Sequence, residues 1–313
     1  MTMGMDASTG MGTGMGMTAE LPLTAAHLQR LQTWFGPSFP VGAFSYSHGL
    51  EAAFEAGLVT DRESMMEWLE GLLLFGSARN DAILFAETYR RFPDVADVAE
   101  LAAALSPSME LRAETLNQGS AFLRGVRQGW PDLYAQSIPC RSNAESRDRG
   151  PCDDPAPDCH DVASGDADQV IFQNSAEPRK GASPVRGLPG GSAEAEEDPV
   201  PRCARPGIGE ALAGEIAFPV AAGLCCALAQ IPLKPALTAY LHGFAANVVS
   251  AALRCIPLGQ SDGLAAQSAL EPAVEAAADA ALEASPDDIG SAAPMLDWLS
   301  ATHETQYSRL FRS

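Results

Sequence analysis

Histidines, cysteines, carboxylates and thioethers are the side chains that hold metals or move protons, and in this chain they fall into a few local groups. His303-Glu304 begins the His-Glu-x-x-His pattern that puts two zinc ligands one helical turn apart, but position 307 is Tyr, so the second ligand is missing. Joined to distant ligands, the pair could still serve a helical metal-dependent hydrolase. His48 and His242 stand among apolar residues in helical context, where a packed imidazole is the simpler reading than a ligand. Cys152, Cys159 and His160 match no structural zinc spacing and lack a fourth ligand. The methionines at 1, 3, 5, 11, 15 and 17 could take a soft ion such as copper(I). Glu51, Glu55, Asp81 and Glu87 form no compact pair that spacing alone reveals. Neither a Gly-x4-Gly-Lys-Ser/Thr phosphate loop nor a Gly-x-Ser-x-Gly elbow occurs. Chemistry by itself gives no complete catalytic site and calls for no resident cofactor or metal. The default is an interaction protein.

Composition points the same way. Among 313 residues, 40 are acidic and 20 basic, a formal net charge of −20. That balance disfavours nucleic acid, which needs a cationic face, and an anionic membrane surface. Proteins or cations remain as partners. Seven irregularly spaced cysteines do not make a disulfide framework and suit a reducing cytoplasm. The N-terminus lacks the basic cluster and apolar run of a signal peptide. The best membrane candidate, 217–229, is interrupted by Pro219 and too short for a bilayer core of about 30 Å. A soluble, cytoplasmic protein is expected.

The elements that must position these residues are helical. Alanine is abundant and aromatics are only 7%, which favours closely packed helices over a sandwich of strands. Residues 1–20, rich in Met and Gly, read as a disordered tail. Thr24 caps a first helix carrying Leu28, Leu31 and Phe35 and stopped by Gly36-Pro37. A second helix runs from near Ser47 to Gly57, and a third follows a Thr60–Glu63 capping box with Met66, Leu69 and Leu73 on one face. Further helices are expected at 80–91, 94–105 and 107–129, the last capped by Ser106 before Pro107. Residues 137–206 carry Pro, Gly, Ser and Asp without an apolar period and read as a disordered acidic insertion. Helical texture resumes over 209–230, 234–254, 262–284 and 295–306. The expected fold is all-α: a single helical-bundle domain interrupted by a long disordered insertion, its halves at 21–136 and 207–313.

Two segments resist a generic description. One is Pro37-Ser-Phe-Pro-Val-Gly-Ala-Phe-Ser-Tyr-Ser-His-Gly-Leu-Glu51, where two prolines and Gly42 hold a turn crowded by Phe39, Phe44 and Tyr46. It is either a connector whose aromatics enter the core or a functional surface, and Ser45 or Ser47 could cap the next helix. The other is His303-Glu-Thr-Gln-Tyr-Ser-Arg-Leu-Phe-Arg-Ser313, a cationic, apolar end to an acidic chain. Arginine beside aromatic anchors is the composition of interface hot spots.

These segments resemble the urease accessory protein F (UreF) family. So do Glu110-Leu-Arg-Ala-Glu-Thr115 and Ala251-Ala-Leu-Arg-Cys255 followed by Ile256-Pro-Leu-Gly-Gln-Ser-Asp-Gly263. Order and spacing agree over about 22–136 and 208–313. The resemblance implies an all-α homodimer that is not itself an enzyme. It would join UreD (UreH) and the GTPase UreG on apo-urease and help deliver nickel, coupling a partner's GTP hydrolysis to assembly of the metallocentre. Contact of this chain with Ni²⁺ would be transient. The matched residues then suggest a partner-binding set: Phe44, Ser45, Tyr46, His48 and Glu51 on the turn and second helix; Arg254 and Gln260 around the Pro257 turn; and His303, Glu304, Tyr307, Arg309, Leu310, Phe311 and Arg312 on the tail. The tail is expected to lie in a groove with Phe311 buried and its arginines paired to carboxylates, ordered by His303, Glu304 and Tyr307 one turn apart on a helix. Arg254 and Gln260 would fix their loop or line a route for a hydrated ion.

Overall fold

The computed structural model describes residues 22–106, 108–135 and 215–312. Helix α1 (Ala25–Trp34) starts at Thr24, whose hydroxyl accepts the His27 N–H while His27 accepts the Thr24 N–H. A 3-10 turn (Ala43–Ser45) leads to α2 (Leu50–Glu55), and α3 (Arg62–Phe75) and α4 (Ser77–Arg91) follow. After α5 (Ala96–Ala104) come the long α6 (Met109–Gly129) and a short α7 (Pro131–Ala135). The second half supplies α8 (Phe218–Leu228), α9 (Leu233–Cys255), α10 (Gln260–Ala269), α11 (Glu271–Glu283) and α12 (Pro294–His303). No strand occurs among the described residues. The Met/Gly-rich stretch, the 137–206 stretch with its cysteines and His160, and Pro107 lie outside the described residues.

Helix α8 joins the two halves of the sequence. It packs on both α4 and α6, and its Pro219–Cys226 stretch is buried. Small residues permit this. A Cβ on Gly223 would stand 2.6 Å from the Phe85 carbonyl oxygen of α4, so only glycine lets the two backbones approach so closely. Helix α9 runs through the middle, touching α3, α4, α8, α10 and α11. Among the described residues it is the one helix long and apolar enough to cross a membrane, and half of that stretch is buried inside the protein. The 217–229 segment singled out by sequence is the shorter α8.

Several boundaries differ from expectation for local reasons. Helix α3 is capped by Asp61 with Ser64, not by Thr60 with Glu63. Helix α6 is capped by Ser108, whose hydroxyl accepts the Leu111 N–H, rather than by Ser106. Helix α2 cannot start at Ser47, because His48 (φ 53°) and Gly49 (φ 76°) are left-handed; no side chain caps it, though the Ser47 hydroxyl accepts the Glu51 N–H at 3.4 Å. The stretch expected as one helix over 262–284 divides at Leu270–Glu271, where Pro272 lacks the N–H that would continue the ladder. Helix α8 begins at Phe218 after the non-helical 215–217, and the expected start at 209 lies outside the described residues. Helix α12 ends at His303, so Glu304 and Tyr307 are not on a tail helix.

Candidate functional site

Helix α2 meets α12 at a narrow crossing. A Cβ on Gly49 would lie 3.0 Å from the Ser300 nitrogen, so the left-handed glycine brings the start of α2 against α12. One turn further on each helix are Glu51, 7% exposed, and His303, fully buried. Their side chains meet with Nε2 of His303 3.0 Å from Oε2 of Glu51. The other ring nitrogen, Nδ1, faces Oε2 of Glu110 at the start of α6, also at 3.0 Å. Ionised carboxylates only accept, so both contacts act as hydrogen bonds when both ring nitrogens carry hydrogen. A metal-dependent hydrolase would need one of these nitrogens for its ion.

The same carboxylates hold the tail. Glu51 Oε1 accepts the Leu310 N–H at 2.6 Å and Oε2 accepts the Phe311 N–H at 3.0 Å. Glu110 Oε1 pairs with the Arg309 guanidinium. The Arg312 N–H donates to the Ser45 carbonyl at 2.8 Å, and Asn247 steadies that turn by donating to the Ala43 carbonyl at 2.8 Å. Phe311 is buried, and Arg254 lies over its ring, 4.3 Å from the centroid, in cation–π geometry. Glu304 turns the other way: Oε1 accepts the N–H groups of Met109 and Glu110 at 2.8 and 3.3 Å. A carboxylate there satisfies orphan donors at the positive end of the α6 dipole.

A second polar cluster lies one turn along α6. Glu114, 4% exposed, accepts from the Gln118 amide at 2.8 Å and faces His48 Nε2 at 3.3 Å. Burial pushes the His48 imidazole down to about 4, because charging it would strip its hydration. Nδ1 of this ring has no hydrogen-bond partner. A third pair joins α4 to α9: the Tyr240 hydroxyl donates to Asp81 Oδ2 at 3.2 Å, and burial pushes the Asp81 carboxyl up to about 7.

The sequence-selected residues thus divide. Glu51, His303, Glu304, Arg309, Leu310, Phe311, Arg312, Ser45 and Arg254 converge on the tail. His48 belongs to the neighbouring Glu114 cluster. Tyr46 is buried, whereas Phe44, Leu310 and Tyr307 are exposed, Tyr307 completely. Phe39 is buried too, so the aromatic turn serves both the core and the surface. Gln260 is exposed at the first turn of α10, away from the tail's hydrogen bonds. No carboxylate pairs with Arg312 among the described residues, and Arg254 lies over the Phe311 ring. His242 is exposed rather than packed. Sequence reasoning missed Glu110, Glu114 and the Asp81–Tyr240 pair. The available signal was two glutamates at i and i+4 behind a serine cap, which aims both carboxylates from one helix face.

Comparison with known proteins places this architecture. The UreF family model matches residues 59–271. A urease accessory protein UreF of Rhodopseudomonas palustris is 37% identical over 304 residues, covering 95% of this chain and 96% of the relative. That of Xanthobacter autotrophicus is 36% identical over 312 residues, covering 98% of each, and that of Magnetococcus marinus is 34% identical over 299 residues, covering 93% and 99%. On these matches, and with its helical fold, the chain belongs to the UreF family of urease accessory proteins.

Proposed function

We propose that this chain is the adaptor of a nickel-insertion complex: as a cytoplasmic homodimer it joins UreD (UreH) and UreG on apo-urease, and helps couple the GTP hydrolysis of UreG to assembly of the nickel metallocentre. The GTPase activity resides in the partner, and nickel touches this chain only in transit.

The observation that carries the reading is the clipped tail. Glu51 and the Ser45 carbonyl hold the main-chain amides of 310–312 and Phe311 is buried, while the side chains of Tyr307 and Leu310 stay exposed, as do Phe44 and Met109 on the segments bonded to the tail. Ordered aromatic and apolar side chains beside arginine are the composition of binding hot spots. A net charge of −20 adds long-range attraction for a cationic partner surface.

Co-expression with UreD tests it. Removal of residues 304–313 abolishes co-purification with UreD while circular dichroism stays helical. Capture that survives the deletion overturns the role given to the tail, and urease activity indifferent to this chain at limiting nickel overturns the function.

A further inference from the structure

Between α4, α6, α9 and the α8 entry lies a cavity of about 580 Å³, large enough for a small molecule. Its walls include the rings of Phe35, Phe218 and Tyr240, with centroids 5.7 and 5.4 Å apart across Tyr240. Its carboxylates are Asp81, Glu114 and Asp297, set among neutral polar side chains such as Asn80 and Gln118, and no Lys or Arg lines it among the described residues. Asp81 keeps accessible surface, and among the described residues its carboxylate has one hydrogen-bond partner, the Tyr240 hydroxyl on Oδ2. Elsewhere on the wall His48 offers Nδ1, an acceptor without a partner when Nε2–H points at Glu114. Carboxylates and aromatic faces with no cationic neighbour are complementary to positive charge on an apolar body. They suit a metal ion poorly: rings supply no ligand, and no group of three His, Cys, Asp or Glu that could hold a metal occurs among the described residues.

The geometry points to a binding site for a small organic cation with N–H donors, a guanidinium or primary ammonium on a short apolar stem, its head on the Asp81 carboxylate and its stem against the aromatic wall. A carboxylate acceptor favours a head that donates N–H hydrogen bonds over a quaternary ammonium. Nothing in this site rests on the partner assembly, although Ala43 and Phe44 of the turn that holds the tail also line the cavity. Because burial lifts the Asp81 carboxyl to about 7, a cation selects its ionised form, and affinity rises as pH increases through that value.

The test titrates n-butylguanidinium into the full chain, with n-butylurea as the uncharged isostere and Ni²⁺ as the metal control, by ligand-observed NMR and calorimetry. Butylguanidinium binds in the millimolar range or tighter, and butylurea does not. Asp81→Asn weakens the cation about tenfold or more. Tyr240→Phe keeps the ring and retains binding, which separates loss of charge from damage to the wall. Equal binding of butylurea, unchanged affinity in Asp81→Asn, or Ni²⁺ that displaces the cation and itself needs Asp81 would each overturn the proposal.

Discussion

Glu51 and His303 are 252 positions apart in sequence and hydrogen-bonded at 3.0 Å in the fold. The contact ties the second helix to the last one and, through the remaining acceptor capacity of Glu51, to the chain beyond it. The carboxylate accepts the Leu310 and Phe311 N–H groups and faces a ring nitrogen of His303, so its oxygens, though nearly buried, have polar partners.

Removing that carboxylate leaves one nitrogen of the buried imidazole and two backbone amides without their partner. Glu51→Ala is expected to lower the unfolding free energy by about 3 kcal/mol or more. Glu51→Gln, which retains an acceptor oxygen, costs less. Urea denaturation decides the point, and a Glu51→Ala loss within error of zero contradicts the clip.

Local release is expected from Phe311→Ala, since it removes the buried ring under Arg254. Hydrogen exchange at the Leu310 and Phe311 amides accelerates while the amides of α4 and α8 keep their protection. Uniform acceleration across the chain would mean that the tail is part of the global folding unit instead.

The sign for His48 is that of a buried neutral base. Its folded value is about 4 against an ordinary 6.5, so the unfolded state binds more protons between those values. Its contribution is complete above about 6.5 and falls as pH drops toward 4, by at most about 3 kcal/mol. His48→Asn, a residue that tolerates the left-handed backbone, flattens this acid limb of the stability curve.

Asp81 works in the opposite direction. Its folded value is raised to about 7 from 3.8, so the folded state binds more protons in between. The group contributes fully below 3.8, and the contribution is lost as pH rises through 7. Asp81→Asn therefore raises the melting temperature, more at alkaline than at acidic pH; the reverse trend would refute the assignment.

The approach of α8 to α4 gives a backbone test. Gly223→Ala forces the Phe85 carbonyl aside and is expected to cost about 1–3 kcal/mol. Gly129→Ala, at a position with nothing within 4 Å, is neutral or slightly stabilising. Thermal melts of both variants compare the positions directly.

Much of the helical layout was legible because it is local. Thr24 with His27, the left-handed Gly57 and the apolar period through Leu69 and Leu73 act within a turn or two of chain. The misplaced caps show the limit: Thr60–Glu63 and Asp61–Ser64 have the same spacing, and geometry selects between them. Pro272 was a readable signal for the break between α10 and α11. Burial of Phe311 was expected from the tail's resemblance to the family pattern, but which helices supply the tail's acceptors was not. Glu51, Glu110 and His303 lie on three helices, and no periodicity links them. Asp81 and Tyr240 each fit the pattern of an ordinary helix, and only packing turns them into a pair.

One detail of the tail sets terms for how its sequence can change. Glu51 grips the amide hydrogens of positions 310 and 311, which every residue except proline carries, so this hold is blind to the side chain at 310. Leu310 points outward and can be exchanged without loosening the segment it stands on. At position 310 attachment is written in the main chain and address in the side chain, so the two can diverge separately there, while Phe311 and Arg309 anchor the segment through their side chains.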